Sequence, residues 1–188
     1  MSAFEHLAVF LSLIFGLATT QVLTGIARSL HRRNIEKLDD VHLVWSVVVL
    51  LILVLNWWVF FSWNTHPRWS FGPYLVLVLW AICHYLLAVT LYEPDSAPDD
   101  RRNRMWEENR IWFLTTFALM LTLDIAQAAA RGALLEPVWY LPYVLHYFVL
   151  TLVALLFEQR AVQRWIGWYV LVTLIGWSFV IRRLLAAN

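Results

Sequence analysis

Asp124 is the one carboxylate set well inside a long apolar stretch of this sequence, in the run LTLDIAQ (121–127). A carboxylate taken out of water must either accept a proton or find a hydrogen-bond donor, because the bare charge costs too much in an apolar surrounding. A few other polar side chains share such surroundings: Asn56, Gln127 and His146 with Asp124, and Gln21, His42 and His84 elsewhere. An imidazole, a carboxylate and carboxamides held together suit proton transfer or the binding of a small cation. The same residue types also suit a purely structural hydrogen-bonded cluster between helices. A third alternative is that Asp124 lies near enough to a boundary to be hydrated. For Asp124 the sequence leaves all three open.

Metal and haem chemistry fare worse. No H-x-x-x-H or C-x-x-C spacing occurs, and the one cysteine, Cys83, excludes both a disulfide framework and a cysteine-based metal site. His84, flanked by Cys83 and Tyr85, invites a haem reading, but a haem held by two histidines needs both rings at one level. Along straight helices His84 and His146 differ by roughly 9 Å in depth. We therefore expect neither a metal nor another cofactor. A phosphate-binding glycine loop, a serine with plausible His and Asp partners and H-E-x-x-H are all missing, so no enzymatic motif is present.

The elements that must position these residues follow from composition. Of 188 residues 61% are hydrophobic, 16% aromatic and only 14% charged, with a net charge of +1. Soluble domains are about a quarter charged. A soluble enzyme, a disordered chain and a nucleic-acid binder are thereby excluded. Six apolar stretches approach the roughly 20 residues that a helix needs to cross a bilayer. They run Phe4–Ala27, Val41–Phe61, Phe71–Leu91, Ile111–Ala130, Trp139–Phe157 and Trp165–Leu185. Backbone in lipid must satisfy its own hydrogen bonds, and the alternation expected of a barrel is absent. The expected fold is all-α: a polytopic membrane protein, one domain over residues 1–188, built as a bundle of six transmembrane helices. Lipid bilayer is its surroundings, and a homo-oligomer or a place in a larger membrane complex is expected.

Charge sets the expected orientation. No basic residue precedes the first apolar run, which argues for an uncleaved anchor over a signal peptide. Ten of the 14 Lys and Arg fall in the first, third and fifth connections: Arg28, Arg32, Arg33, Lys37, Arg101, Arg102, Arg104, Arg110, Arg160 and Arg164. The positive-inside rule then places these connections in the cytoplasm and both termini outside, with Arg182 and Arg183 as a mild conflict. The longest polar segment, residues 92–110, becomes a cytoplasmic loop. It reads as a solvated lead-in to the fourth helix or as a docking surface, with Trp106 at the interface. Trp57, Trp58, Trp63 and Trp69 read as an outer aromatic belt. In this frame Asn56, Asp124 and His146 sit roughly 8 to 10 Å below the outer boundary, Gln127 is in the same half, and Gln21, His42 and His84 lie toward the inner side. Small residues at four-residue spacing (Ala8, Ser12, Gly16, Thr20, Thr24) predict that helix 1 packs near the middle of the bundle. Ala118, Thr122, Ala126 and Ala130 make helix 4 its candidate partner.

The segment LIFGLATTQVLTGIARSL (13–30), with His42, Trp45, Trp57, Trp58 and the ENRIWF run (108–113), resembles a large uncharacterised family of bacterial six-span inner-membrane proteins. The resemblance implies a bacterial inner (cytoplasmic) membrane location and supplies no activity, cofactor or catalytic residue. Two functional readings follow from the residues. The first is a small proton or cation channel or transporter, with Asp124 and His146 as an outer polar site and Gln21, His42 and His84 lining the inner path. The second is a non-catalytic membrane subunit or scaffold that binds a partner complex, lipid or pigment. A membrane enzyme or electron carrier ranks third.

Overall fold

The computed structural model describes residues 2–31, 39–66, 69–92 and 105–186. Arg32, Arg33, Lys37 and residues 93–104 of the polar loop lie outside the described residues. Among the described residues there are six α-helices: α1 (Ala3–His31), α2 (Asp40–Phe60), α3 (Phe71–Thr90), α4 (Met105–Arg131), α5 (Tyr140–Leu156) and α6 (Arg160–Ala186). A 3-10 turn, Phe61–Thr65, prolongs α2. Ala3–His31, Asp40–Thr65, Phe71–Thr90 and Asn109–Arg131 are long and apolar enough to cross a membrane, while the apolar helix Tyr140–Leu156 is shorter. The protein is an integral membrane protein.

The helix starts are written locally. Ser2 and Glu5 form a capping box: the Ser2 Oγ accepts from Glu5 N–H at 3.2 Å, and Glu5 Oε2 accepts from Ser2 N–H at 3.0 Å. Asp39 caps α2 by accepting from the amides of Val41 and His42. Helix α4 begins six residues before the expected Ile111. The early turn brings Trp106 into the interior, stacked on Trp45 at 5.8 Å, where an interfacial position was expected.

Successive helices run in opposite directions, so the starts of α2, α4 and α6 meet the ends of α1, α3 and α5. Two pairs mark this first end: His42 Nε2 donates to Leu91 O at 2.6 Å, and Arg110 Nη1 donates to Ala154 O at 2.7 Å. At the second end Phe4 stacks on Phe60 at 5.1 Å. Helix α1 packs on α3 and α2, α3 on α4, α2 on α6, and α4 on α5. Large apolar side chains cover the outside, including Leu13, Leu17, Trp112, Val149, Trp165 and Val172. So wide an apolar surface suits lipid and not water.

Helix α1 corrects one expectation. Its buried face is Leu7, Leu11, Phe15, Ala18, Val22 and Gly25, whereas Ser12, Gly16, Thr20 and Thr24 face outward. The helix lies at the edge of the bundle, on α2 and α3. Its larger side chains bury more contact area against those neighbours than the small stripe would.

The first end is filled. Trp45 lies edge-on to Phe113 at 5.1 Å and Phe117 at 5.8 Å, in addition to the Trp106 stack. The Tyr92 hydroxyl donates to Ser46 Oγ at 2.7 Å, and that hydroxyl donates to His42 O. The Tyr92 ring lies so close to Gly25 that a Cβ there would overlap it. At Gly167 a Cβ would come within 3.0 Å of Val44. The last carbonyls of α5 are satisfied by side chains from both neighbours. Arg110 donates to Ala154 O and Leu155 O, and Gln163 donates to Ala154 O and Phe157 O. Buried carbonyls at a helix end need such partners.

Candidate ligand-binding cavity

The second end is not filled. Helices α2, α4, α5 and α6 enclose a cavity of ≈ 740 Å³, within the range of small-molecule sites. Each helix lines it with residues three or four apart: Ile52, Leu55, Asn56 and Val59 from α2, and Phe117, Leu121, Asp124, Gln127 and Arg131 from α4. Helix α5 adds Tyr140, Tyr143 and Tyr147, and α6 adds Val170, Leu174 and Trp177. The 133–138 connection closes one side. It starts where α4 ends on Gly132 at φ 78°, with Gly132 N–H on Ala129 O and Ala133 N–H on Ala128 O, both at 3.0 Å. A left-handed residue is needed there to reverse the chain, and glycine takes it without a Cβ clash.

Asp124 is held from two sides. Tyr140 Oη donates to its Oδ2 at 3.0 Å, and Gln127 Nε2 donates to its Oδ1 at 3.4 Å. Gln127 is oriented by Trp63, whose indole N–H donates to Gln127 Oε1 at 3.1 Å. Trp63 is fully buried, so it is an interior donor and not part of an aromatic belt. A carboxylate has about four acceptor sites. Tyr140 and Gln127 each take one oxygen, and the buried Trp80 indole N–H also acts on the carboxylate. This leaves Asp124 capacity for one further donor where its surface is accessible on the cavity side. The tyrosines on α5 share a second group: Tyr143 and Tyr147 hydroxyls lie 2.6 Å apart, Tyr147 lies 2.9 Å from Thr173 Oγ1, and Tyr143 stacks on Trp177 at 4.2 Å.

No family model matches this chain, and no curated protein or solved structure matches it either. The site therefore rests on its own geometry.

The residues singled out from sequence are distributed as follows. Asp124, Gln127 and Asn56 all line the cavity. His146 does not: its ring sits among Tyr143, Tyr147 and Tyr169, and its buried Nε2 has no hydrogen-bond partner. Tyr140 takes the place beside Asp124 expected for His146, because it stands on the α5 face turned to α4. Asn56 is paired across the division drawn between outer and inner groups. Its Nδ2 donates to His84 Nε2 at 2.7 Å, and His84 Nδ1 donates to Trp80 O at 2.7 Å. The 3-10 turn accounts for the difference. Ending the element at Thr65 instead of Phe61 lowers Asn56 by about 8 Å at 2.0 Å per residue. His42 is at the opposite end, committed to Leu91, and Gln21 is half-buried on α1 away from the cavity. Among the described residues no three His, Cys, Asp or Glu converge as metal ligands would.

Arg131, Tyr140, Tyr143 and Tyr147 were not singled out from sequence, and Trp63 was read there only as part of an aromatic belt. The spacing of the tyrosines, i, i+3, i+7, places them on one helical face and was a readable signal. Arg131 follows Asp124 by seven residues, two turns along the same face.

Proposed function

We propose that all six helices cross a bacterial inner membrane and that the protein is a small transporter, taking a proton or a solute with a positively charged group at Asp124. The observation that carries this reading is the Asp124 carboxylate, held by Tyr140 and Gln127 with its free side on a ≈ 740 Å³ cavity. The cavity's polar groups are few and convergent in a mostly apolar lining, as in small-molecule sites. The aromatic layer of Trp45, Trp106, Phe113 and Phe117 fills the bundle at the other end, which favours a carrier over a continuously open pore.

Helix α5, at 17 residues, meets the lower limit for a span, and α6, at 27, exceeds it. The sequence resemblance supports the location. The basic connections support an orientation with both termini, and hence the cavity, on the periplasmic side. The test is reconstitution of the purified protein in liposomes with an internal pH dye. Dissipation of an imposed proton gradient, or counterflow of a small amine, is expected for the wild type and is lost in Asp124→Asn. Equal flux in the two proteins, or none in the wild type, overturns the reading. A C-terminal fluorescent-protein fusion should be dark, and bright cells would reverse the orientation.

A further inference from the structure

The cavity lining holds two further charged residues that the reading above does not use, Arg131 and the exposed Glu136. Arg131 lines it from the last turn of α4. Its Nε is buried with no hydrogen-bond partner, and the Asp124 carboxylate takes its donors from Tyr140 and Gln127 instead. Asp124 and Arg131 attract each other through space but share no hydrogen bond, so the donors of Arg131 are not taken by the carboxylate. The two residues lie about 10 Å apart along the helix axis, on one face, at 1.5 Å per residue.

We infer that the cavity binds a small zwitterion, with its ammonium on Asp124, its oxyanion on Arg131 and its apolar part against Leu121, Val144 and Leu174. This rests on the proposed role of Asp124 as the cationic end of the site, and adds the anionic end. Asp124 and Arg131, the charged pair on α4, sum to zero, while the third charged lining residue, Glu136, is exposed on the 133–138 connection, where water screens it. A lone cation entering between the pair is attracted by one and repelled by the other, and a lone anion meets the same conflict in reverse. A zwitterion leaves neither charge uncompensated. The guanidinium fork suits a carboxylate or a phosphate, bound by parallel N–H donors. The apolar lining and the Tyr143–Trp177 stack give the uncharged part a surface to bury. Asn56, with one amide N–H given to His84, has its carbonyl oxygen and its second N–H left for the cavity.

The ligand chemistry, an ammonium and an oxyanion on an apolar body, is shared by free amino acids and by phosphatidylethanolamine. The experiment is calorimetric titration of the full-length protein in detergent with an isosteric series: phenylalanine, phenethylamine and 3-phenylpropionate. Short-chain phosphatidylethanolamine and short-chain phosphatidylglycerol form a second arm. The zwitterion of at least one arm is expected to bind at least about tenfold more tightly than its singly charged relatives. Asp124→Asn should abolish the advantage over the anion, Arg131→Gln the advantage over the amine, and Arg131→Lys should restore much of the latter. Monodisperse elution of each variant shows that it is folded. Preference for phenylalanine assigns the source as a free amino acid, and preference for the ethanolamine lipid assigns it as a headgroup. Phenethylamine binding as tightly as phenylalanine, indifferent to Arg131→Gln, overturns the zwitterion and leaves the cation reading standing. If nothing in either arm binds, the zwitterion falls, and the liposome proton flux with Asp124→Asn decides the reading of Asp124 by itself.

Discussion

The two ends of the bundle are made from similar residues and put them to opposite use. At the end where Arg110 and Gln163 meet the last turn of α5, polar side chains are committed to backbone carbonyls. Indoles and phenyl rings stack, and two glycines admit neighbouring side chains at contact distance. At the other end Asp124, Asn56 and Arg131 keep unused hydrogen-bonding capacity, and the side chains stand back around ≈ 740 Å³. The difference lies in packing more than in hydrogen bonding. Trp45 Nε1, Trp106 Nε1 and Gln163 Oε1 are also buried without partners at the first end. The two indoles there are closed in by stacked rings, whereas Arg131 and Asp124 face a cavity. The comparison teaches that stability is concentrated at the first end and binding at the second.

Mutations can break or sharpen that division. The largest effect is expected for Arg110→Met, which strips the part-buried Leu155 carbonyl of its donor, removes one of two donors from the buried Ala154 carbonyl and should cost about 2–3 kcal/mol, read as a fall in the thermal unfolding midpoint in detergent. Gly25→Val forces the Tyr92 ring off its position and off Ser46, an overpacking cost of about 2 kcal/mol in the same assay. Gly132→Ala places a Cβ at a left-handed residue and should cost about 1 kcal/mol. Because the 133–138 connection lines the cavity, it should also weaken any ligand.

Asp124→Asn is the sharpest test of the comparison. The carboxamide oxygen still accepts from Tyr140 and only the long 3.4 Å bond from Gln127 is given up, so the loss in stability should be about 1 kcal/mol, while ligand binding or flux is lost. A drop as large as that of Arg110→Met would make Asp124 a structural group and erase the distinction. The smallest effect belongs to Asp40→Asn. It removes an exposed ion pair with Arg164 at 2.9 Å, and such pairs are worth at most about 0.5 kcal/mol once solvent screening is counted.

Much of the fold was legible because lipid makes a severe demand. Long apolar runs in a chain only 14% charged have to be helices, and the ends of those helices carry their caps in the sequence, Ser2 with Glu5 and Asp39 before α2. The candidate site was legible in part for a related reason. A carboxylate amid apolar residues stands out by type alone, so Asp124 was visible, with Gln127 one turn away.

What the one-dimensional pattern could not decide was which face of each helix looks inward. In water an apolar stripe marks the core, but in lipid the outside is as apolar as the inside, and the periodicity loses its meaning. Hence the small stripe of α1 turned outward, Trp63 went to the interior, and His146 turned away from Asp124 while Tyr140 turned toward it. Depth counted along straight helices likewise missed the 3-10 turn that carries Asn56 to His84. The chain's chemistry by itself determined that this is a helical membrane protein with a carboxylate to account for. Only the packing of α2, α4, α5 and α6 decided that the carboxylate faces a cavity and shares it with an arginine, because rotation about a helix axis is set by contacts between distant segments.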